Sequence, residues 1–136
     1  MNSSDAESPR YQVDALSRRT FHRVIGVRLD FYTDAIMIYK YDVGYLKGMY
    51  YSFLRRAAYS DVIRCKYDLR QASRSSSHGA IEMRILEQSR PSGSRPSDHF
   101  WKVERLEFGL KDLSVSEIRE MYDWLCDMIR ANGGKV

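Results

Sequence analysis

The stretch IGVRLDFYTDAIMIYKY, residues 25–41, predicts two β-strands joined by a short turn. Apolar and polar residues alternate through residues 21–32, which is the period-two pattern of a strand with one buried face. Thr33 and Asp34 are turn residues, and residues 36–41 are rich in the β-branched and aromatic side chains that favour strands. Because so short a turn permits only antiparallel pairing, this stretch indicates an antiparallel sheet.

Three further strands are predicted downstream. Alternation returns at residues 62–70, where basic side chains occupy the face opposite the apolar one, and again at residues 81–85. A fifth strand is expected at residues 100–108, and the change of apolar phase within it is typical of a bulge. Residues 88–98 contain two prolines and a glycine and are predicted to form a loop.

The segment that follows the first two strands has a different period. Apolar side chains recur three and four positions apart through residues 43–57, as one face of an α-helix requires. We therefore predict a helix there that packs on the sheet. Its opposite side would carry basic and aromatic residues at intervals of four, which places them in one row along the helix. The row consists of Lys47, Tyr51, Arg55 and Tyr59.

A second helix is predicted after Ser114, which forms a capping box with Glu117, and it ends before Gly133. Together the elements predict an α+β fold: a single domain with an antiparallel β-sheet of about five strands and two helices, in the order β-β-α-β-β-β-α. Residues 1–19 hold few apolar side chains and are expected to form a flexible N-terminal arm, so the domain would span residues 20–136.

The composition indicates a globular, intracellular protein. Of its 136 residues 43% are hydrophobic, and no apolar run approaches the ~20 residues of a transmembrane helix. The N-terminus is polar and acidic and lacks the basic and apolar regions of a secretory signal, so we expect a cytoplasmic protein that does not engage a membrane. Cys65 and Cys126 are too few for a disulfide framework and are expected to be free, buried thiols.

The most unusual compositional feature lies between Tyr39 and Arg70. This segment holds seven of the ten tyrosines and seven basic residues against three acidic ones. Its net charge therefore equals the formal net charge of the whole chain, which is +4. Arginine and tyrosine can bind phosphate and stack on bases, and both are enriched at protein interfaces. The segment is predicted to carry a binding surface.

No motif in the sequence identifies an enzymatic activity. The histidines and cysteines do not occur at the spacings of a metal site, and the glycines form neither a phosphate-binding loop nor a dinucleotide fingerprint. We therefore expect a protein without catalytic activity, cofactor or metal. The runner-up is a Mg²⁺-dependent nuclease, because Asp68 and Glu82-Met83-Arg84 resemble the D…ExK arrangement of restriction-type nucleases, with arginine in place of the lysine.

Two binding functions remain open. The first, which the small net charge favours, is a regulator or inhibitor of phage or mobile-element type that binds a protein partner, such as a nucleic-acid-processing complex. The second is a module that binds nucleic acid directly. Acidic residues on the last helix would also allow a homodimer through complementary charge. The predicted binding residues are Lys47, Tyr51, Arg55, Tyr59, Arg64, Lys66, Arg70, Arg74, Arg90 and Arg95.

Overall fold

The computed structural model describes residues 8–19, 24–71, 77–86, 101–109 and 113–136. Within these ranges the chain forms seven β-strands, one short 3₁₀ turn and one α-helix. The strands are β1 (Tyr11–Arg19), β2 (Ile25–Phe31), β3 (Ala35–Gly44), β4 (Gly48–Ala58), β5 (Val62–Gln71), β6 (Ser77–Leu86) and β7 (Trp101–Gly109). The 3₁₀ turn (Tyr59–Asp61) joins β4 to β5, and the helix α1 (Val115–Ala131) follows β7.

All seven strands belong to one antiparallel sheet in the order β4-β3-β2-β1-β7-β6-β5. Each ladder joins strands that follow one another in the chain, except the ladder between β1 and β7. The two edge strands, β4 and β5, are consecutive in sequence and are separated only by the three-residue 3₁₀ turn. A connection that short requires the two edges of the sheet to approach each other.

A buried contact confirms that the sheet is strongly coiled. Arg55 on β4 forms an ion pair with Glu104 on β7 and donates a hydrogen bond of 2.8 Å to the Ser17 hydroxyl on β1. In a flat sheet β4 and β7 would lie about 19 Å apart, since neighbouring strands are spaced by about 4.8 Å. The inner face of the sheet is therefore concave, and side chains from distant strands meet across it.

The hydrophobic core lies on this concave inner face, between the sheet and α1. Val27, Leu29 and Phe31 alternate along β2 toward the core and are fully buried. The helix contributes one apolar stripe, consisting of Ile118, Met121, Leu125 and Ile129. Gly79 allows this close packing, because a Cβ atom there would lie 3.2 Å from the Ile118 side chain. The opposite, outer face of the sheet is not covered by α1.

The predicted arrangement of five strands and two helices is wrong, because residues 43–58 form the end of β3, a turn and β4 instead of a helix. Gly48 adopts a φ of 69° after the turn, a conformation that suits a tight hairpin and few residues other than glycine. Aromatic side chains also favour strands over helices. Apolar residues occur on both faces of this hairpin, and their combined spacing imitates a helical period.

The expected flexible arm is also corrected, because Tyr11–Arg19 forms β1 at the centre of the sheet. Tyr11, Val13 and Ala15 face the core, but the apolar–polar alternation ends after them, because Leu16 is exposed and the polar Ser17 is buried. Residues 1–7 lie outside the described residues.

The α+β class and the remaining strands are confirmed, since β2, β3, β5, β6 and β7 cover the predicted segments. The loop predicted at residues 88–98 lies outside the described residues. No bulge interrupts the ladder between β6 and β7. The phase change in β7 arises instead because the polar side chain of Glu104 occupies an inner, fully buried position.

The capping box at the start of α1 is confirmed. The Glu117 amide donates to the Ser114 hydroxyl, and the Ser114 amide donates to the Glu117 carboxylate, each at 3.1 Å. These bonds lower the pKa of Glu117 below its usual value. The carboxylate therefore stabilises the fold above its ordinary pKa, and this contribution is lost as the pH falls through the lowered value.

Replacement of Ser114 with alanine is expected to reduce the free energy of unfolding by about 1 kcal/mol, because the first turn of α1 loses its side-chain acceptor. Urea denaturation followed by circular dichroism would measure this loss. Ser116→Ala is a matched control, since Ser116 lies in the same turn but does not accept a bond from the helix backbone. An equal loss in both variants would contradict the capping role of Ser114.

Candidate binding surface on the β3–β4 hairpin

The hairpin formed by β3 and β4 ends in a turn whose side chains are almost fully exposed. Its ladder runs from the pair Ala35–Ala58 to the pair Gly44–Gly48. Tyr45 and Leu46 in the turn are 101% and 91% exposed. We call the exposed apolar and aromatic residues of this end the aromatic hairpin surface. It consists of Val43, Tyr45, Leu46, Met49, Tyr51 and Phe53.

Strand alternation places most of this surface on the outer face. Val43 is paired with Met49 and Tyr41 with Tyr51, so these side chains form two cross-strand pairs on the same side. The Tyr41 and Tyr51 ring centroids are 4.7 Å apart. Phe53 continues the row and contacts Tyr39 edge-to-face at 5.8 Å. The result is a continuous aromatic strip along the outer face of the hairpin.

The guanidinium of Arg28 on β2 anchors this strip. It lies 4.9 Å from the ring centroid of Tyr39 and 4.6 Å from that of Tyr51, which are cation–π distances. Its Nη2 atom also forms an ion pair of 3.1 Å with Asp30. The two rings are therefore held in place by a charged group that is fixed at its other side.

Tyr41 is held by hydrogen bonds as well as by stacking. Its hydroxyl donates to the Asp14 carboxylate on β1 and accepts from the Tyr51 hydroxyl at 3.3 Å. Burial and the bond to Asp14 raise the pKa of Tyr41 above its ordinary value, so its hydroxyl stays protonated. These contacts restrict the rotamers of the tyrosines before any partner binds.

The inner side of the hairpin end carries a polar cluster beside Tyr50. The Ser52 hydroxyl donates to Asp42 at 2.6 Å, and Lys40 forms an ion pair with the same carboxylate at 3.7 Å. This polar cluster shows that the hairpin extends beyond the core that α1 covers. On the outer side, no helix among the described residues packs against the aromatic side chains.

The four residues predicted to form one row along a helix, between positions 47 and 59, do not lie together in the structure. Lys47 is in the turn, with its Nζ atom 5.8 Å from the Tyr50 ring, and Tyr51 is on the outer face. Arg55 points to the inner face and is largely buried in its ion pair with Glu104. Tyr59 is fully buried in the core. Only Lys47 and Tyr51 are therefore accessible at the hairpin end.

The remaining predicted residues lie elsewhere. Arg64 and Lys66 are exposed on the outer face of β5, at the other edge of the sheet, and Lys66 forms an ion pair of 3.1 Å with Glu82. Arg70 belongs to β5, but its side chain is outside the description. Three further arginines lie outside the described residues: Arg74, Arg90 and Arg95.

The helical interpretation assigned several residues of the hairpin surface to the core. Val43, Leu46 and Phe53 are in fact exposed. Two glycines four positions apart, Gly44 and Gly48, enclose the turn and are the signal in the sequence that favours a hairpin. Arg28 contacts Tyr39 and Tyr51 because β2 pairs with β3, and the sequence around Arg28 contains no pattern that predicts these contacts.

The two cysteines are confirmed as free, buried thiols. Cys65 on β5 adjoins Cys126 on α1, and the hydrogen bond between them raises the pKa of Cys65 and lowers that of Cys126 to about 7. The Tyr122 hydroxyl, one helical turn before Cys126, donates to the Cys65 carbonyl at 3.3 Å. The described part of the chain holds no cluster of three or more residues able to ligate a metal.

Comparison of the sequence with protein-family models and with curated proteins gave no match. Among the residues that the structure describes, no helix has the length and apolar character needed to cross a membrane. The case for a function therefore depends on the geometry of the sheet and of its hairpin.

Proposed function

We propose that the protein is a non-enzymatic binding protein that recognises a protein partner through the aromatic hairpin surface and regulates that partner. The observation that carries this proposal is the exposure of Tyr45, Leu46 and Met49, which are 101%, 91% and 70% accessible at the end of one hairpin. Contiguous apolar side chains are rarely left in water by a soluble protein unless another surface covers them. A partner that covers the hairpin would remove the free-energy cost of exposing these side chains to water.

The composition of the surface suits a protein partner. Tyrosine and arginine are enriched among the residues that contribute most to protein interfaces. The fixed geometry of Tyr51, which stacks on Arg28 and bonds to Tyr41, means that little side-chain entropy is lost on binding. The turn residues Tyr45 and Leu46 are able to insert into a pocket on the partner, because they project beyond both strands.

A second candidate function is direct binding of nucleic acid by the opposite edge of the sheet. Arg64 on β5 is paired with Arg84 on β6, and Lys66 is the next outer residue along β5. Arg64 and Lys66 are both exposed on this face, and their positive charges would pair with the phosphates of a nucleic acid. This surface is separate from the hairpin, so the two candidates can be tested independently.

Asp68 and Glu82 are the acidic residues of the nuclease alternative, and their contacts do not support it. Asp68 and Glu82 both bind the Arg105 guanidinium, at 3.2 and 3.5 Å. A cation thus already occupies the space between the two carboxylates, where a nuclease would hold Mg²⁺. A structural role for these residues accounts for their arrangement on the outer face.

Leu46→Ser combined with Met49→Ser is expected to weaken capture of the partner at least about tenfold, because the double variant removes apolar contacts at the centre of the surface. Pull-down from the native host, with nuclease treatment and quantitative mass spectrometry, would measure the capture. The matched control is Arg64→Ser combined with Lys66→Ser, which changes two exposed residues on β5.

Loss of capture only in the hairpin variant, after nuclease treatment, supports the proposal. Loss only in the β5 variant, together with salt-sensitive binding of the purified protein to DNA or RNA, would replace it with the nucleic-acid function. Both double variants change exposed residues, so their unfolding curves should match that of the unmodified protein. A partner consisting of a second copy would appear as a dimer in sedimentation that the hairpin variant abolishes.

A further inference from the structure

We propose that a cavity beside the hairpin binds an organic cation, and that in the complex this cation is a lysine or arginine side chain of the protein partner. The cavity has a volume of about 380 Å³ and lies on the outer face where β2, β1 and β7 adjoin. Volumes of this size are typical of sites for small ligands. The lining includes Asp14, Leu16, Gly26, Tyr41, Glu107 and Gly109.

The small residues of the sheet create the cavity. Gly26 and Gly109 present only backbone, which leaves a depression between larger neighbours. The Tyr41 ring forms one wall and lies against Gly26, where a Cβ atom would be 3.3 Å from its Cδ2 atom. Leu16, which is 47% exposed, supplies an aliphatic surface. The aliphatic stem of a long side chain can therefore pack between Leu16 and the ring.

The charged groups that line the cavity are both acidic. Asp14 accepts the Tyr41 hydroxyl, and no basic group among the described residues forms an ion pair with it. Glu107 differs, because its Oε1 atom contacts the Nε atoms of Arg18 and Arg105 at 3.3 and 3.2 Å. Asp14 is consequently the main anionic anchor, and the face of the Tyr41 ring adds a cation–π surface beside it.

The position of the cavity identifies the source of the cation. Tyr41 lines the cavity and also stacks on Tyr51, which belongs to the aromatic hairpin surface. A partner that covers the hairpin would therefore also cover the adjoining cavity. Apolar side chains of such a partner would contact the aromatic hairpin surface, and one neighbouring basic side chain would enter the cavity. The assignment to a partner rests on the proposed function, whereas binding of a free cationic probe does not.

Nα-acetyl-lysine amide is the probe that tests the site, with Nα-acetyl-norleucine amide as a control that lacks only the ammonium group. In a ¹⁵N-HSQC titration of the full chain, the lysine probe is expected to shift the Gly26 and Gly109 amide signals, and the norleucine and glutamate derivatives are not. Equal shifts with norleucine would overturn the cationic specificity, and shifts with glutamate would reverse its sign. Absence of shifts with every probe would remove the site.

Asp14→Asn should weaken binding of the lysine probe about fivefold, because it removes the charge and keeps an oxygen that accepts the Tyr41 hydroxyl. Asp127→Asn on the exposed side of α1 makes the same charge change far from the cavity and should have no effect. Leu16→Lys, at a half-exposed position, should abolish binding by placing a cation in the cavity itself. Unchanged binding in Asp14→Asn and Leu16→Lys would overturn the proposal even if the hairpin variants lose the partner.

Discussion

Replacing Arg55 with leucine is expected to reduce the free energy of unfolding by about 3–5 kcal/mol at neutral pH, because it removes the guanidinium that forms an ion pair with the buried Glu104 carboxylate. The Glu104 side chain is only 1% exposed, and the Arg55 side chain is 14% exposed. The Ser17 hydroxyl, which donates to Glu104 at 2.6 Å, is neutral and does not replace the positive charge of Arg55. Guanidinium denaturation monitored by tryptophan fluorescence would measure the loss as a shift in midpoint.

The adjacent residue gives a matched control. Arg56 pairs with Asp34 at 3.1 Å, but the two side chains are 45% and 59% exposed. Arg56→Leu should therefore cost less than about 1 kcal/mol. The double variant Arg55→Leu with Glu104→Leu should recover at least half of the loss, since an apolar pair needs no desolvated charge. Similar costs for the two single variants would show that the Arg55 ion pair is not buried.

The second large effect concerns two tyrosines that the sequence places in the same predicted row. Tyr59→Ala is expected to cost about 3–5 kcal/mol, because a fully buried aromatic side chain is removed and a cavity remains. Tyr59 has no accessible surface and belongs to the core cluster, whereas Tyr51 is 42% exposed on the hairpin. Tyr51→Ala should cost about 1 kcal/mol, mostly from its lost contacts with Tyr41 and Arg28.

Thermal and urea denaturation of both variants would separate these values. Tyr51→Ala should also reduce partner capture, because it removes part of the hairpin surface. A variant of Tyr59 that stays as stable as the unmodified protein would mean that the row faces solvent, as the helical interpretation required. The two tyrosines therefore test the corrected fold and the location of the surface in one comparison.

Local patterns predict most of the sheet correctly. Residues 25–31 alternate strictly because one face of β2 is buried, and the capping box at Ser114 depends only on neighbouring residues. The pattern fails in β4, where exposed aromatic residues occur on both faces, so that Tyr50, Tyr51 and Phe53 show no period that distinguishes a buried face from an open one. The alternating pattern also fails in β1, because the polar side chain of Ser17 is buried. Its hydroxyl bonds to Glu104 and Arg55, which are far away in the sequence.

The residues of the proposed binding surface are harder to predict from the sequence than the fold. The sequence points correctly to Tyr51 as exposed, but it cannot separate Tyr51 from the buried Tyr59, because both are tyrosines in one segment. The cavity involves β1, β2 and β7, and only their pairing brings Leu16, Gly26 and Glu107 together. Such a site depends on long-range contacts, which leave no signal in local spacing.

The ladder between β1 and β7 joins the two halves of the sheet. Every other ladder joins consecutive strands, so the meanders β1–β4 and β5–β7 can each form from nearby residues. Joining them requires closure of a long loop, since Ser17 and Glu104 are 87 positions apart in the sequence. Closing a loop of this length costs more conformational entropy than forming a hairpin, so we expect the ladder between β1 and β7 to form after the two meanders. The ion pair of Arg55 and Glu104 connects β4 in the first meander to β7 in the second. We expect this contact to couple the two halves of the sheet, so that they unfold as one cooperative unit.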